Sequence, residues 1–481
     1  MSISSELFKR GLAAHSWLGI MVSALMYVIC LTGTLLVYHA ELEQWEQADA
    51  PVVEGLDLTS AEASFNAFLE AGVGVTPHMY LVLPTDESPH ARIATETQSW
   101  FLERDGQLGI VEDNSWSTML LDLHLYLHLP KSWGMLLVSA LGAVLVGLVV
   151  SGFLAHPSIF KGAFKLRQRT TDQLPQTDLH NRLSVWAAPF HLTIAITGAY
   201  FGLALPILAV VAEAEFGGNR GAVVEAVFGA EPDLEAASSQ VQIVTTLQKL
   251  KAIAPDAEPF NVIVHDANST NPFLEVFARL PQRLMWGEGY RFTTDGDYLG
   301  NAGWSDGTLG QQVLYSIYRL HFGTFDGQRS KLLYLILGLA LTIVSATGTN
   351  IWLAKRRKED ELADLWTGIV WGTPIALALS ALVRQFTSSG LGLVFWLSLA
   401  GACFLALAIR QTARARWLLK SALALVLLAT LLAHTFQFGA LVLSTSASLI
   451  NGALVVTILA LGAQALAFPK HTSAQPAANL R

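Results

Sequence analysis

His15-Ser16-Trp17-Leu18 opens an apolar run that reaches Leu31-Thr32-Gly33, and His180-Asn181-Arg182-Leu183 opens a second that reaches Ile196-Thr197-Gly198. In both, the glycine follows the histidine by 18 positions. A second matched pair lies further along. Leu123-His124 precedes an apolar run ending at Ser151-Gly152, and Leu320-His321 precedes one ending at Thr347-Gly348, with spacings of 28 and 27. The chain therefore carries a duplicated helix pair with duplicated histidines.

Those runs are long enough to cross a bilayer. Of the 481 residues, 52% are hydrophobic and only 14% are charged, outside the range of ordinary soluble domains. A span needs about 20 mostly apolar residues. Eight stretches qualify, near 12–38, 134–155, 184–212, 331–354, 366–384, 392–410, 418–438 and 445–468. The first is too long for a cleaved signal and recurs as a copy inside the chain, so it reads as a span. Cys30 and Cys403 sit in apolar runs and read as buried thiols.

Lys and Arg in short loops set orientation. Lys9 and Arg10 precede the first span. Lys161, Lys165, Arg167 and Arg169 lie between spans 2 and 3, Lys355 to Lys358 follow span 4, and Arg410, Arg414, Arg416 and Lys420 lie between spans 6 and 7. With eight spans all of these fall on one side. Both termini are then expected in the cytoplasm. The long loops 39–133 and 213–330 are expected outside, in the periplasm of a bacterial inner-membrane protein.

The two outer loops look like copies. Residues 59–71 predict a helix opened by Thr59 or Ser60. Three alternating segments follow, His78–Leu83, Ala91–Thr95 and Ser99–Glu103, the last running into Asp105-Gly106. In the second loop a helix over 239–253 precedes Phe260–His265, Phe273–Ala278 and Tyr290–Thr294, which runs into Asp295-Gly296. The expected fold is a mainly α membrane protein of about eight transmembrane helices, with two small α+β modules inserted in a duplicated helix-pair core. Three units follow: a first repeat over 1–155, a second over 156–358, and an added four-helix region with a short cytoplasmic tail over 359–481.

An imidazole inside lipid is costly unless it is paired or ligating. Haem iron accepts neutral imidazole, and a porphyrin needs an apolar slot between helices. His15 and His180 start odd-numbered spans on the inner side; His124 and His321 precede even-numbered spans on the outer side. They read as axial ligands of two stacked b-type haems, one near each face. No Cys-x-x-Cys-His motif is present for covalent attachment. His191 lies 11 residues after His180, about three turns on one helix, so the same helix would serve both levels. His128 shares a helical face with His124. His191 and His128 are thus alternative ligands. Arg182 and Arg319 flank the histidines and are candidate partners of haem propionates; ordinary interfacial arginines read equally well. His39, which ends the first span on the outer side, is another candidate; otherwise His39, His156 and His434 at helix ends, and His78, His90, His265 and His471 in loops or tail, read as solvated or interfacial residues. The Ser/Thr-Gly pairs read as sites of close helix packing, or as access for a porphyrin edge. The spans hold almost no Asp or Glu, which argues against a di-iron or zinc centre.

This pattern of His-x-x-Leu, apolar run, Thr-Gly, outer helix-plus-strands module, Leu-His and a final apolar run ending in Gly resembles the PepSY-associated transmembrane proteins. The resemblance covers about residues 8–358. Some members of that family are haem-containing inner-membrane reductases of ferric siderophores. The resemblance thus implies electron transfer across the inner membrane to a ferric siderophore or other ferric chelate outside, with release of Fe(II). Some relatives carry a flavin and nicotinamide domain. This chain has no Gly-rich phosphate loop, so the expected electron donor is a membrane quinol or a separate cytoplasmic reductase. Two other classes stay open: a transporter for iron or its chelate, and a non-enzymatic sensor or inhibitor.

Overall fold

The computed structural model describes residues 5–155, 173–232, 234, 240–356 and 360–466. The basic stretch 161–169, His156 and His471 lie outside them. Among the described residues, eight helices are long and apolar enough to cross a membrane: Lys9–Leu36, Lys131–Leu154, Ala188–Glu215, Gly327–Lys355, Glu361–Arg384, Leu391–Ile409, Thr412–Leu443 and Ser446–Leu466. The protein is a multi-pass membrane protein, and most surfaces of these helices remain apolar and open to lipid.

The first half begins with α1 (Ser5–Leu36), α2 (His39–Glu46) and α3 (Leu58–Ala71). Asp57 caps α3 by accepting from Thr59 N and Ser60 N, so the helix starts earlier than the Thr59 or Ser60 expected from sequence. Four strands follow: β1 (Met79–Val82), β2 (Ala91–Ala94), β3 (Ser99–Leu102) and β4 (Leu108–Val111). Then come α4 (Ser115–Tyr126) and α5 (Lys131–Ala155). The second half repeats the plan with α6 (Gln173–Trp186), α7 (Ala188–Glu215), α8 (Arg220–Phe228), α9 (Ile243–Ile253), β5 (Glu258–His265), β6 (Phe273–Arg279), β7 (Glu288–Thr293), β8 (Tyr298–Asn301), α10 (Leu309–Phe322) and α11 (Gly327–Lys355). The remaining helices are α12 (Glu361–Arg384), α13 (Leu391–Ile409), α14 (Thr412–Phe438) and α15 (Thr445–Leu466).

The outer segments share one sheet. Its order is β4-β3-β2-β1-β5-β6-β7-β8, antiparallel throughout, with Met79 opposite Val264 and Val82 opposite Asn261 at the seam. Alternation along the strands sends Met79, Leu81, Ile93, Val262, Val264, Leu274 and Val276 to a face covered by Phe65 of α3 and Leu250 of α9. The opposite face carries Ile263, Phe277 and Trp304, with Tyr80, Trp286 and Tyr315 packed against them.

Beneath the sheet, α1 packs on α5 and α11, and α5 packs on α7. Small residues permit the close approaches. A Cβ on Gly142 would stand 2.9 Å from Ala195 O, and one on Gly338 would stand 2.7 Å from Thr34 Oγ1. The α2 helix is tied to α11 by a buried ion pair, Lys331 Nζ to Glu41 Oε1 at 2.7 Å and Oε2 at 2.9 Å.

The third span is not one helix from residue 184. It starts at Ala188, behind a break at Ala187 (φ −98°, ψ 8°), with Pro189 in the first turn. Proline lacks the N–H that would continue the ladder, so the chain starts a new helix there. His180 and His191 therefore sit on α6 and α7, and the notion of one helix serving two levels fails.

Candidate functional site

Two cavities lie between α1, α5, α7 and α11. One, of about 360 Å³, lies on the sheet side and is lined by His124, His321, Phe201, Tyr318 and Tyr334. The other, of about 300 Å³, lies toward the start of α1 and is lined by His15, His180, His191 and Trp352. Met26, Leu145 and Leu341 line both, so a single layer of apolar side chains separates them. The sheet-side lining contains no charged residue, and the far-side lining contains only Lys355.

Each of four histidines sits on a Ser/Thr-Gly pair from the other end of its own repeat. His124 Nδ1 lies 3.2 Å from Thr32 Oγ1 and 3.1 Å from Ile29 O. His321 Nδ1 lies 2.8 Å from Thr197 Oγ1. His15 Nδ1 lies 3.1 Å from Ser151 Oγ. His180 Nδ1 lies 3.2 Å from Thr347 Oγ1 and 3.1 Å from Val344 O. The adjacent glycine lies against the ring in every case, and at Gly33, Gly198 and Gly348 it makes room for it. A Cβ on Gly33 would come 2.6 Å from His124 Cε1, and on Gly198 3.1 Å from His321 Cε1. For Gly348 and His180 the distance is 3.3 Å, and for Gly152 and His15 it is 3.4 Å.

These contacts fix the tautomer in two of the rings. Each hydroxyl donates its own proton back along its helix: Thr32 to Val28 O, Thr197 to Thr193 O, Thr347 to Ile343 O and Ser151 to Leu148 O. The hydroxyl oxygen is then the acceptor, and the carbonyls of Ile29 and Val344 can only accept. In His124 and His180, which face those carbonyls, Nδ1 carries the proton and Nε2 the lone pair. An imidazole oriented through Nδ1–H in this way is the form that ligates metals through Nε2.

His124 and His321 face each other across the sheet-side cavity with ring centroids 6.4 Å apart and planes at 38°. Among the described residues no group of three or more His, Cys, Asp or Glu could hold a bare metal ion. Paired imidazoles in an apolar slot would suit a metal that arrives with ligands of its own.

The other sequence candidates lie elsewhere or play different parts. The α4 helix ends at Tyr126, and Leu127 and His128 both take positive φ of 55°. That turn carries His128 away from His124. Its Nε2–H donates to Met119 O at 2.8 Å, and its Nδ1 accepts from Trp396 Nε1–H at 3.1 Å. Both nitrogens are engaged, so His128 is no alternative ligand here. His191 is 1% exposed and lines the far-side cavity beside His180. Arg319 donates to Thr324 O at 3.1 and 2.7 Å and to Arg283 O at 3.0 Å, clamping the end of α10. Neither Arg319 nor Arg182 lines either of these two cavities.

Two histidines expected to be solvated or interfacial are buried. His434 is fully buried, stacked on Trp45 at 4.6 Å, with Nε2 2.8 Å from Trp45 O. His90 is buried against Phe101 and donates from Nδ1 to Pro51 O at 2.7 Å. His265 pairs with Glu275 at 3.0 Å. Sequence reasoning singled out all four seated histidines and all four Ser/Thr-Gly pairs, but it did not connect one set to the other.

A Pseudomonas aeruginosa protein described as "Uncharacterized protein PA4219" is 26% identical over 293 residues, covering 57% of this chain and 73% of that protein. Residues 12–355 match the family model for the PepSY-associated TM region. That match takes in both outer segments, both cavities and all four seated histidines. The chain belongs to the PepSY-associated TM region family.

Proposed function

We propose that this protein is a haem-bearing oxidoreductase of a bacterial inner membrane, passing electrons outward to a ferric siderophore or other ferric chelate. The observation that carries this reading is the fourfold histidine seat, with Nδ1 bonded to a Ser or Thr hydroxyl and a glycine beneath the ring. His124 and His321 would hold one b-type haem in the sheet-side cavity, and His15 and His180 a second in the far-side cavity. Bound there, haem supplies a reversible one-electron couple between Fe(III) and Fe(II). The residues themselves orient imidazole lone pairs, exclude water and provide the thin Met26, Leu145 and Leu341 partition.

Both termini are read as cytoplasmic, following the Lys and Arg distribution, so the sheet is periplasmic and the sheet-side cavity is the outer one. Electrons would enter from a quinol or a separate cytoplasmic reductase. A hard-oxygen chelate holds Fe(II) less tightly than Fe(III), so reduction frees the ion.

The test mixes dithionite-reduced protein, freed of excess reductant, with a panel of ferric siderophores in a stopped-flow spectrometer. Reoxidation of the Soret band should coincide with Fe(II) capture by a ferrous-specific chelator. Reoxidation no faster than in buffer, across the whole panel, removes the siderophore reading. A transporter for the chelate, or a non-enzymatic sensor, then takes its place.

A further inference from the structure

The helices that carry the sheet-side histidines start in different ways. Helix α10 closes its own N-terminus with a capping box, in which Thr308 and Gln311 satisfy each other's backbone. Helix α4 has no such device. Its N-cap residue Asn114 makes no side-chain cap bond. Instead the backbone N–H groups of Trp116 and Ser117 donate to Glu46 Oε1 and Oε2 at 2.7 and 2.8 Å, and Ser117 Oγ–H adds a bond of 2.7 Å.

Glu46 ends α2 and is 1% exposed. A buried carboxylate needs a counter-charge. It comes from Arg384, the last residue of α12, whose Nε donates to Glu46 Oε1 at 2.6 Å. The same guanidinium donates from Nη2 to Asp113 O at 2.7 Å, one residue before the cap. Further along α4, Trp116 Nε1 donates to Ser380 Oγ of α12 at 3.1 Å. Past the C-terminal end, Trp396 of α13 holds His128. Residues from α12 and α13 therefore hold α4 at both ends. All of them lie beyond residue 355, where the family match stops.

We infer that the C-terminal helices hold α4 in register for His124: Glu46 caps the helix from outside, and Arg384 keeps the capping carboxylate in place. Both are positioning residues for the sheet-side site, acting on His124 eight or so residues away along the helix. No residue of this clamp lines the far-side cavity. The spectroscopic arm of the test rests on the haem reading above; the exchange arm does not.

The experiment uses the full chain in detergent, as Arg384→Met and as Glu46→Gln/Arg384→Met. Arg384→Met leaves a buried carboxylate unpaired, whereas the double variant keeps an amide oxygen for the α4 N–H groups without a stranded charge. Hydrogen exchange is read on peptides covering 115–126 and 309–322. Arg384→Met should speed exchange in α4 by about tenfold or more and leave α10 unchanged, and the double variant should recover most of the protection. In haem-loaded protein, the g-values and midpoint potential of one haem should shift while the other stays put. If Arg384→Met does not accumulate, Trp396→Phe tests the other end of α4 by the same readouts and should loosen the same helix. Unchanged α4 exchange, or equal loosening of α10, overturns the inference. Faster α4 exchange with both haem signatures unchanged also overturns it, because the clamp would then be structural only. Protein that folds without haem sinks the haem reading alone, and the exchange arm still decides whether Arg384 fixes α4.

Discussion

Gly33→Ala should displace His124 and empty the sheet-side site, while Gly152→Ala should leave the far-side site intact. The added methyl at residue 33 would stand 2.6 Å from His124 Cε1, 3.2 Å from Nδ1 and 3.4 Å from Nε2. Ordinary contact begins near 3.4 Å, so the ring must retreat by about 0.8 Å. Metal–ligand distances tolerate about 0.2 Å. The retreat would also stretch the contacts of His124 to Thr32 and Ile29, which are already 3.2 and 3.1 Å long. Replacing a helical glycine by alanine gains about 1 kcal/mol of propensity. Overpacking costs about 1–3 kcal/mol, so the fold should survive with a small net loss. At residue 152 the methyl would meet His15 Cε1 at 3.4 Å, an ordinary contact, and only the propensity gain remains. The assay is haem per chain by pyridine haemochrome, with thermal unfolding as the check on folding. Half the haem in Gly33→Ala and full haem in Gly152→Ala is the expected pair. Full haem with unchanged spectra in Gly33→Ala would refute the seat as a determinant of the site.

Three further outcomes follow from the same geometry. His124→Ala or His321→Ala should each remove one haem, His15→Ala or His180→Ala the other, and His128→Ala neither, read as Soret absorbance per chain; full haem in His180→Ala with loss in His191→Ala would hand the far-side ligand to His191. Lys331→Met strands Glu41 in a buried place and should cost about 3–5 kcal/mol, whereas Lys331→Met/Glu41→Gln should recover most of it in thermal unfolding. Burial alone would raise the Glu275 carboxyl, but His265 and the Arg291 guanidinium outweigh it and hold the group below its ordinary range. A depressed carboxyl stabilises the fold above its unfolded-state value, so melting of the outer sheet should drop as pH falls below about 4.3, and Glu275→Gln should flatten that drop.

The spans were legible because twenty-odd apolar residues leave the backbone few alternatives in lipid. The three inner strands of each outer segment were legible through alternation and the Asp-Gly turns. The outermost strands were not: Leu108-Gly109-Ile110-Val111 and Tyr298-Leu299-Gly300-Asn301 are short, lack alternation and sit largely exposed at the sheet edges. Nor was the joining of β1 to β5, since pairing between strands some 180 residues apart leaves no local signal. The break at Ala187 hid because Pro189 is tolerated in a first helical turn and the hydropathy runs on through it. His434 was misread because its burial depends on Trp45, far away in sequence. The histidines and the Ser/Thr-Gly pairs were each visible as repeats. Their crossed pairing, His15 with Ser151-Gly152 and His124 with Thr32-Gly33, exists only once the helices are packed.

The central claim is that the two cavities hold haem through these four rings. Pyridine haemochrome analysis of the protein purified from haem-replete cells tests it most directly. A b-type spectrum with close to two haems per chain is expected. A folded, colourless preparation from the same cells would contradict it.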